Sequence, residues 1–211
     1  MKKTTKLSGA FLMKKNIVIA FITALCLSAG VAKAEVNAKG AEQFVKNMTN
    51  EGIEQIINAN VSQSEKQARF KKLFNQALDL DFIGKYVLGR YWRTATPQQR
   101  KAFVNTYREL NTKVWSERFD EFKGKSFEFK GTSPSNSAGQ IFVNTQVAMD
   151  QGEPASVVWR VREKNGEFKI IDIIIEKVSL TMANRNEYTA FVKNNGGDVD
   201  ALIANLKAKL K

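Results

Sequence analysis

Residues 141–175 read IFVNTQVAMDQGEPASVVWRVREKNGEFKIIDIII. Ile141, Val143, Thr145, Val147 and Met149 alternate with Phe142, Asn144, Gln146 and Ala148, the period of two expected of a strand with one dominant apolar face. Asp150-Gln151-Gly152-Glu153 has the composition of a hairpin turn. The next strand places Val157, Trp159 and Val161 on one face, with Arg160 and Arg162 opposite, and Lys164-Asn165-Gly166-Glu167 turns the chain again. The run from Phe168 to Val178 is apolar on both sides, which predicts a central strand covered on both faces. Phe127-Glu128-Phe129 predicts one more strand ahead of these, and strands joined in this order make an antiparallel meander.

Before Gly124 the period is that of helices. Ala41, Phe44, Val45, Met48, Gly52, Ile56 and Ile57 form one stripe, and Phe70, Leu73, Phe74, Ala77 and Leu78 form a second. Ser62 and Glu65 between them read as a capping box, the serine accepting from a free N–H and the glutamate reaching back. A third helix opens near Asp79 and carries Phe82, Ile83, Tyr86, Val87 and Tyr91. Thr96-Pro97-Gln98-Gln99 starts a long helix, with Thr96 as N-cap, Pro97 where its missing N–H costs nothing, and Gln99 as the reciprocal partner. Phe103, Tyr107, Leu110, Val114 and Phe119 recur at steps that put them on one face of it. Two short helices close the chain; the second starts at Asp198 and carries Val199, Leu202, Ile203, Leu206 and Leu210. Helices followed by a meander predict an α+β domain whose sheet is covered on at least one face by helices. No linker or repeat divides residues 35–211, so one domain is expected there.

The first 34 residues hold six lysines and no acid. Removing those six from the 33 basic residues leaves 27 against 21 acids, a formal charge of +6 from Glu35 on. These residues predict a secretory signal: a lysine-tipped start, the apolar run Ile17 to Leu27, and Ala32-Lys33-Ala34 as a cleavage site. Met13-Lys14-Lys15 forms a complete start by itself, so translation from Met13 is an alternative. The apolar run is too short to span a bilayer stably. The single cysteine, Cys26, lies within it, which leaves the exported chain without disulfide or thiol chemistry.

There is no histidine. Catalytic triads of the Ser-His-Asp kind and zinc sites that rely on histidine or cysteine are thereby excluded from the exported chain. Val87–Phe103, VLGRYWRTATPQQRKAF, combines Arg90, Arg93 and Arg100 with Tyr91 and Trp92, a superficial match to a nucleic-acid face. The aromatics fall where one helix ends and another begins, however, the usual place for a corner plug, and export removes the protein from nucleic acid. Asp172, embedded in isoleucines, is a candidate acid or base for an enzyme acting on a small apolar substrate; its competing role is that of a buried carboxylate accepting hydrogen bonds. A third class is an envelope interaction protein with a filled interior and no ligand. A fourth is a carrier of a large apolar ligand. At roughly 0.8 kcal/mol per methylene, a lipid with about thirty of them resists leaving a bilayer by some twenty kcal/mol, and only a deep apolar pocket offsets that.

Leu80-Asp81-Phe82 with Val87 to Arg100 closely resembles the signature of the MlaC family, the toluene-tolerance family of periplasmic phospholipid-binding proteins. Phe168-Lys169-Ile170-Ile171-Asp172, Val178-Ser179-Leu180 and Arg185-Asn186-Glu187-Tyr188 resemble its second signature. Two positions depart from the pattern: Phe168 stands where the family generally has tryptophan, and Lys177 where a glycine commonly precedes Val-Ser-Leu. The resemblance implies a fold like nuclear transport factor 2, a curved sheet with helices closing over its concave face. It further implies a monomeric periplasmic carrier of glycerophospholipid, without enzymatic activity or cofactor. Its implied partners are an outer-membrane lipoprotein-porin complex and an inner-membrane ABC transporter carrying an MCE-domain ring, with only transient docking near membranes. The acyl chains would lie among Tyr107, Leu110, Val114, Val143, Val147, Val157, Trp159, Ile171, Ile173 and Ile175, for each of which core packing is the competing role. Arg90 and Arg93 would meet lipid phosphate or an anionic docking surface, or pair structurally with Asp81 or Asp172.

Overall fold

The computed structural model describes residues 36–149 and 151–211. The signal-peptide expectation for residues 1–34, and Asp150 of the expected hairpin turn, lie outside the described residues.

Helix α1 (Ala38–Gly52) starts where the Asn37 side chain accepts from the Gly40 N–H at 2.9 Å. It then widens into a π-helical turn, Ile53–Ile57, closed by the Asn58 N–H on the Ile53 carbonyl at 2.8 Å. Lys66 and Arg69 of α2 (Gln63–Ala77) reach over this turn and donate to the Ile57 and Gln55 carbonyls at 2.8 and 2.9 Å. Ser62 caps α2 by accepting from the Glu65 N–H, but the Glu65 carboxylate pairs with Arg69 at 2.9 Å, so only half of the expected capping box forms. The end of α2 is pinned to the sheet: Leu78 bridges Ile170, and the Asp79 N–H donates to the Ile170 carbonyl at 3.0 Å.

Asp79 caps α3 (Leu80–Leu88) through the Phe82 N–H at 3.0 Å. The helix stops at Gly89, whose φ of 56° suits a residue without Cβ, so Tyr91 begins a separate short helix, α4 (Tyr91–Thr94). α5 (Pro97–Ser116) has the full reciprocal box between Thr96 and Gln99, at 3.1 and 2.9 Å. Phe119 does not extend this helix but opens a 3₁₀ turn, Phe119–Phe122.

The sheet is a five-stranded antiparallel meander in chain order: β1 (Phe127–Pro134), β2 (Gln140–Val147), β3 (Ala155–Lys164), β4 (Glu167–Ile175) and β5 (Val178–Ser179). β2 ends at Val147, so Met149 falls outside it and is exposed. β4 is not central: only the two residues of β5 lie beyond it, and its two apolar faces are covered by α1, α2, α3 and α6 instead. Arg160 pairs with Asp172 and Val161 with Ile170, so Ile171 is the extra residue of a β-bulge. β4 ends at Ile175, followed by Glu176 and Lys177 at φ 47° and 68°. This is the positive-φ pair of a two-residue hairpin turn, a place that favours the glycine Lys177 replaces.

α6 (Leu180–Asn194) and α7 (Val199–Ala208) close the chain. Phe103, Leu88, Val87, Val192, Leu202 and Leu206 bury themselves between α3, α5, α6 and α7, away from the sheet. A second core, with Val45, Val143, Val147, Val161 and Ile170, joins α1 to the sheet. Each such side chain contributes roughly 1.5–3 kcal/mol on burial. The fold is therefore α+β as expected, with bulges in β1 and β4 that bend the sheet.

Candidate functional site

Between the first two helices and the sheet lies a cavity of about 150 Å³. Its roof is the inner face of α1, the π turn and α2, through Met48, Ile53, Ile56, Phe70, Leu73 and Phe74. Its floor is the sheet, through Phe127, Val157, Trp159, Ile170, Ile173 and Ile175. Trp115 from the end of α5 and Phe119 and Phe122 from the 3₁₀ turn complete it. Thr49 is the one hydroxyl in this lining, and it donates to the Val45 carbonyl at 2.9 Å; no ionisable side chain takes part. The polar tip of Trp159 is likewise satisfied, its indole N–H donating to Thr145 Oγ1 at 3.0 Å. A surface so composed can remove apolar groups from water and offers nothing for acid, base or metal chemistry.

Of the ten positions expected around an acyl chain, Val157, Trp159, Ile173 and Ile175 line this cavity. Val143 and Val147 are packed in the core between α1 and the sheet, at 0 % and 1 % exposure. Tyr107 and Leu110 belong to the core among the helices, where α5 meets α2, α3 and α7. Val114 is 42 % exposed. Ile171 is displaced by its own bulge, which shifts the phase of β4 so that Ile170 faces the cavity along with Ile173 and Ile175. The roof residues were visible in the sequence as the two stripes from Ala41 to Ile57 and Phe70 to Leu78. What was missing was the fact that these helices, and not α5, lie across the strands.

Past Ile175, where β4 ends, the apolar side chains are exposed. Val178 pairs with Ile175 in register and is 56 % exposed, and Met182, in the first turn of α6, is 51 % exposed.

The arginines of the Val87–Phe103 segment stand apart from this site. Arg90 lies over the Tyr91 ring at 5.2 Å, Arg93 is exposed, and among the described residues neither pairs with Asp81 or Asp172. Arg100 lies over the Trp92 ring at 5.3 Å and donates to the Trp92 carbonyl at 2.8 Å, so the tyrosine-tryptophan pair does pack as a corner.

Asp172 is buried, and both its oxygens are engaged: the Ser179 hydroxyl donates at 2.5 Å and the Thr181 N–H at 3.0 Å. Ser179 is the N-cap of α6, so Asp172 holds the start of that helix to β4. Near it, the Tyr107 hydroxyl accepts from Asn184 at 3.0 Å, and burial pushes its pKa up to about 12. Asn184 offsets part of that rise, and the Asp172 charge adds to it. Burial raises Tyr188 as well, helped by neighbouring Tyr107 and Glu187.

The family model described as MlaC protein matches residues 46–208. The chain is 22% identical over 135 residues to the intermembrane phospholipid transport system binding protein MlaC of Haemophilus influenzae, a match covering 62% of this chain and 61% of that protein. It is 20% identical over 133 residues to the toluene tolerance protein ttg2D of Pseudomonas putida, covering 63% and 61%. The alignments thus span less than two thirds of either relative. A phospholipid-binding protein from Ralstonia solanacearum, solved in complex with a phospholipid, shares the fold at a TM-score of 0.71 and 20% identity, covering 81% of this chain and 96% of that one.

Proposed function

The chain belongs to the MlaC family, and on that premise we propose that it is a periplasmic carrier that takes the acyl chains of a glycerophospholipid between its helical roof and its sheet. The observation that carries this reading is the cavity lining, which is apolar from the α1 stripe to β4 and contains no ionisable group. The cavity, about 150 Å³, has room for a benzene-sized molecule, so loading a lipid parts the walls. The head group stays at the mouth, where its charge keeps its hydration. Residues 1–34 direct export and are removed, and residues 35–211 act as one lipid-binding domain. The chain exchanges lipid, as a monomer, with an outer-membrane lipoprotein-porin complex and an inner-membrane ABC transporter with an MCE-domain ring.

The carrier needs no catalytic group. Asp172, the residue an enzyme would use, has both oxygens committed to the start of α6. The test is mass spectrometry of the exported protein purified without added ligand, together with uptake from phospholipid vesicles. Co-purifying glycerophospholipid and saturable uptake are expected. Absence of both would overturn the proposal.

A further inference from the structure

Beside the apolar cavity lies a second, smaller chamber of about 30 Å³. The two share five walls, Phe74, Leu78, Trp115, Ile170 and Ile173, so they are one layer of side chains apart. Their chemistry differs. The chamber is also lined by Tyr107, Asn111, Asp172 and Thr181, four residues that can hydrogen-bond.

Asp172 is committed to Ser179 and Thr181, but the other three keep bonding capacity in reserve. The Tyr107 hydroxyl accepts from Asn184 and is approached by the Asn111 side chain as a second donor, while no acceptor for its own proton is found among the described residues. Asn111 donates through Nδ2 to the Tyr107 carbonyl at 2.8 Å, while its Oδ1 has no partner among the described residues. Thr181 donates its backbone N–H to Asp172, and its hydroxyl likewise has no partner among them. Neither Asn111 Oδ1 nor Thr181 Oγ1 is among the fully enclosed unsatisfied atoms. Both therefore touch accessible space. Donors and acceptors thus line a space of about 30 Å³, above the roughly 10–15 Å³ that one water-sized group needs.

We propose that this chamber is a binding site for a single aliphatic hydroxyl group, carried on an acyl chain that lies in the adjoining cavity. A rotamer change in one shared wall, such as Leu78 or Trp115, joins the two spaces. A plain methylene entering the chamber would strand Tyr107, Asn111 and Thr181 without partners, whereas a hydroxyl gives the tyrosine proton an acceptor and Asn111 Oδ1 a donor. The site would therefore favour a hydroxylated chain, by the asymmetry that lets a hydrogen-bonding pocket reject an analogue lacking the group.

The inference rests on the carrier reading, and its test separates the two. The full exported chain is incubated with phosphatidylcholine vesicles holding equal amounts of a hexadecanoyl lipid and isomers hydroxylated at carbon 10, 12 or 16, and bound lipid is counted by mass spectrometry. At least one isomer should be enriched several-fold over the plain lipid on the wild-type chain. Thr181→Val, isosteric at the chamber, and Asn111→Leu should each lower that ratio by about tenfold. Because a ratio is read, a general loss of uptake or stability cancels. Uptake of lipid with every hydroxylated isomer depleted alike on wild type and variants would mean that the chamber holds a resident water only, overturning this inference and leaving the carrier intact. Uptake of neither lipid class would overturn both.

Discussion

The Arg185 guanidinium lies against the backbone of Gly89. It donates to the Tyr86 carbonyl and covers the Tyr86 ring at 4.8 Å, capping the end of α3 from α6. A Cβ built on Gly89 would sit 3.1 Å from Arg185 Cζ and Nη2. The Val87–Arg100 and Arg185–Tyr188 segments, nearly a hundred positions apart, are therefore two halves of one structural joint.

Gly89 combines that contact with φ 56° and ψ −126°, a conformation only glycine adopts without strain. Gly89→Ala should destabilise the fold by about 1–3 kcal/mol. Arg185→Lys, which keeps the charge but loses the planar fork, should cost about 1–2 kcal/mol. Both would register as lower denaturant midpoints with unchanged slope, and an Arg185→Lys midpoint equal to wild type would refute the capping role.

Asp172→Asn leaves an acceptor for the Thr181 N–H but sets an amide donor where the Ser179 hydroxyl already donates. A loss of about 1–3 kcal/mol in stability is expected. Phospholipid uptake per folded molecule should persist, as measured from vesicles; abolished uptake in folded protein would return the carboxylate to a functional role.

Alkaline unfolding should report Tyr107. Its ordinary pKa is near 10 in the unfolded chain and about 12 in the fold, so the native state binds the proton more tightly. The associated stability is complete below pH 10 and is lost as pH rises from there through 12, on the order of 3 kcal/mol. Chemical denaturation at a series of alkaline pH values should show this fall, and Tyr107→Phe should make it shallower.

Ile175→Glu and Val147→Glu should behave differently. Ile175 lines the cavity but is only half-buried at the end of β4, so a carboxylate there keeps part of its water, and the variant should fold yet lose lipid uptake. Val147 is 1 % exposed in a filled core, so the same change buries an unpaired charge and should unfold the protein. Circular dichroism with vesicle uptake distinguishes the two outcomes.

Much of the architecture could be read locally. The Thr96–Gln99 box, the caps at Ser62, Asp79 and Asp198, and the alternation from Ile141 to Val147 all act within a few residues, and each appears where its local chemistry requires. The site was half legible. Val157, Trp159, Ile173 and Ile175 lie on the face that alternation assigns, but Ile171 does not, because a bulge inserts one residue and alternation cannot detect its own phase slip.

The sequence by itself determined the succession of helices followed by an antiparallel meander, the exclusion of histidine chemistry and, through the resemblance of its two signatures, the family. Those properties depend on residue type and short spacing. Only the tertiary structure decided that α1, the π turn and α2 roof the cavity while α5 packs against α2, α3 and α7. An apolar stripe states how much surface a helix must bury and never against which partner. That choice is made by contacts distant in the chain, such as the Asp79 N–H on the Ile170 carbonyl.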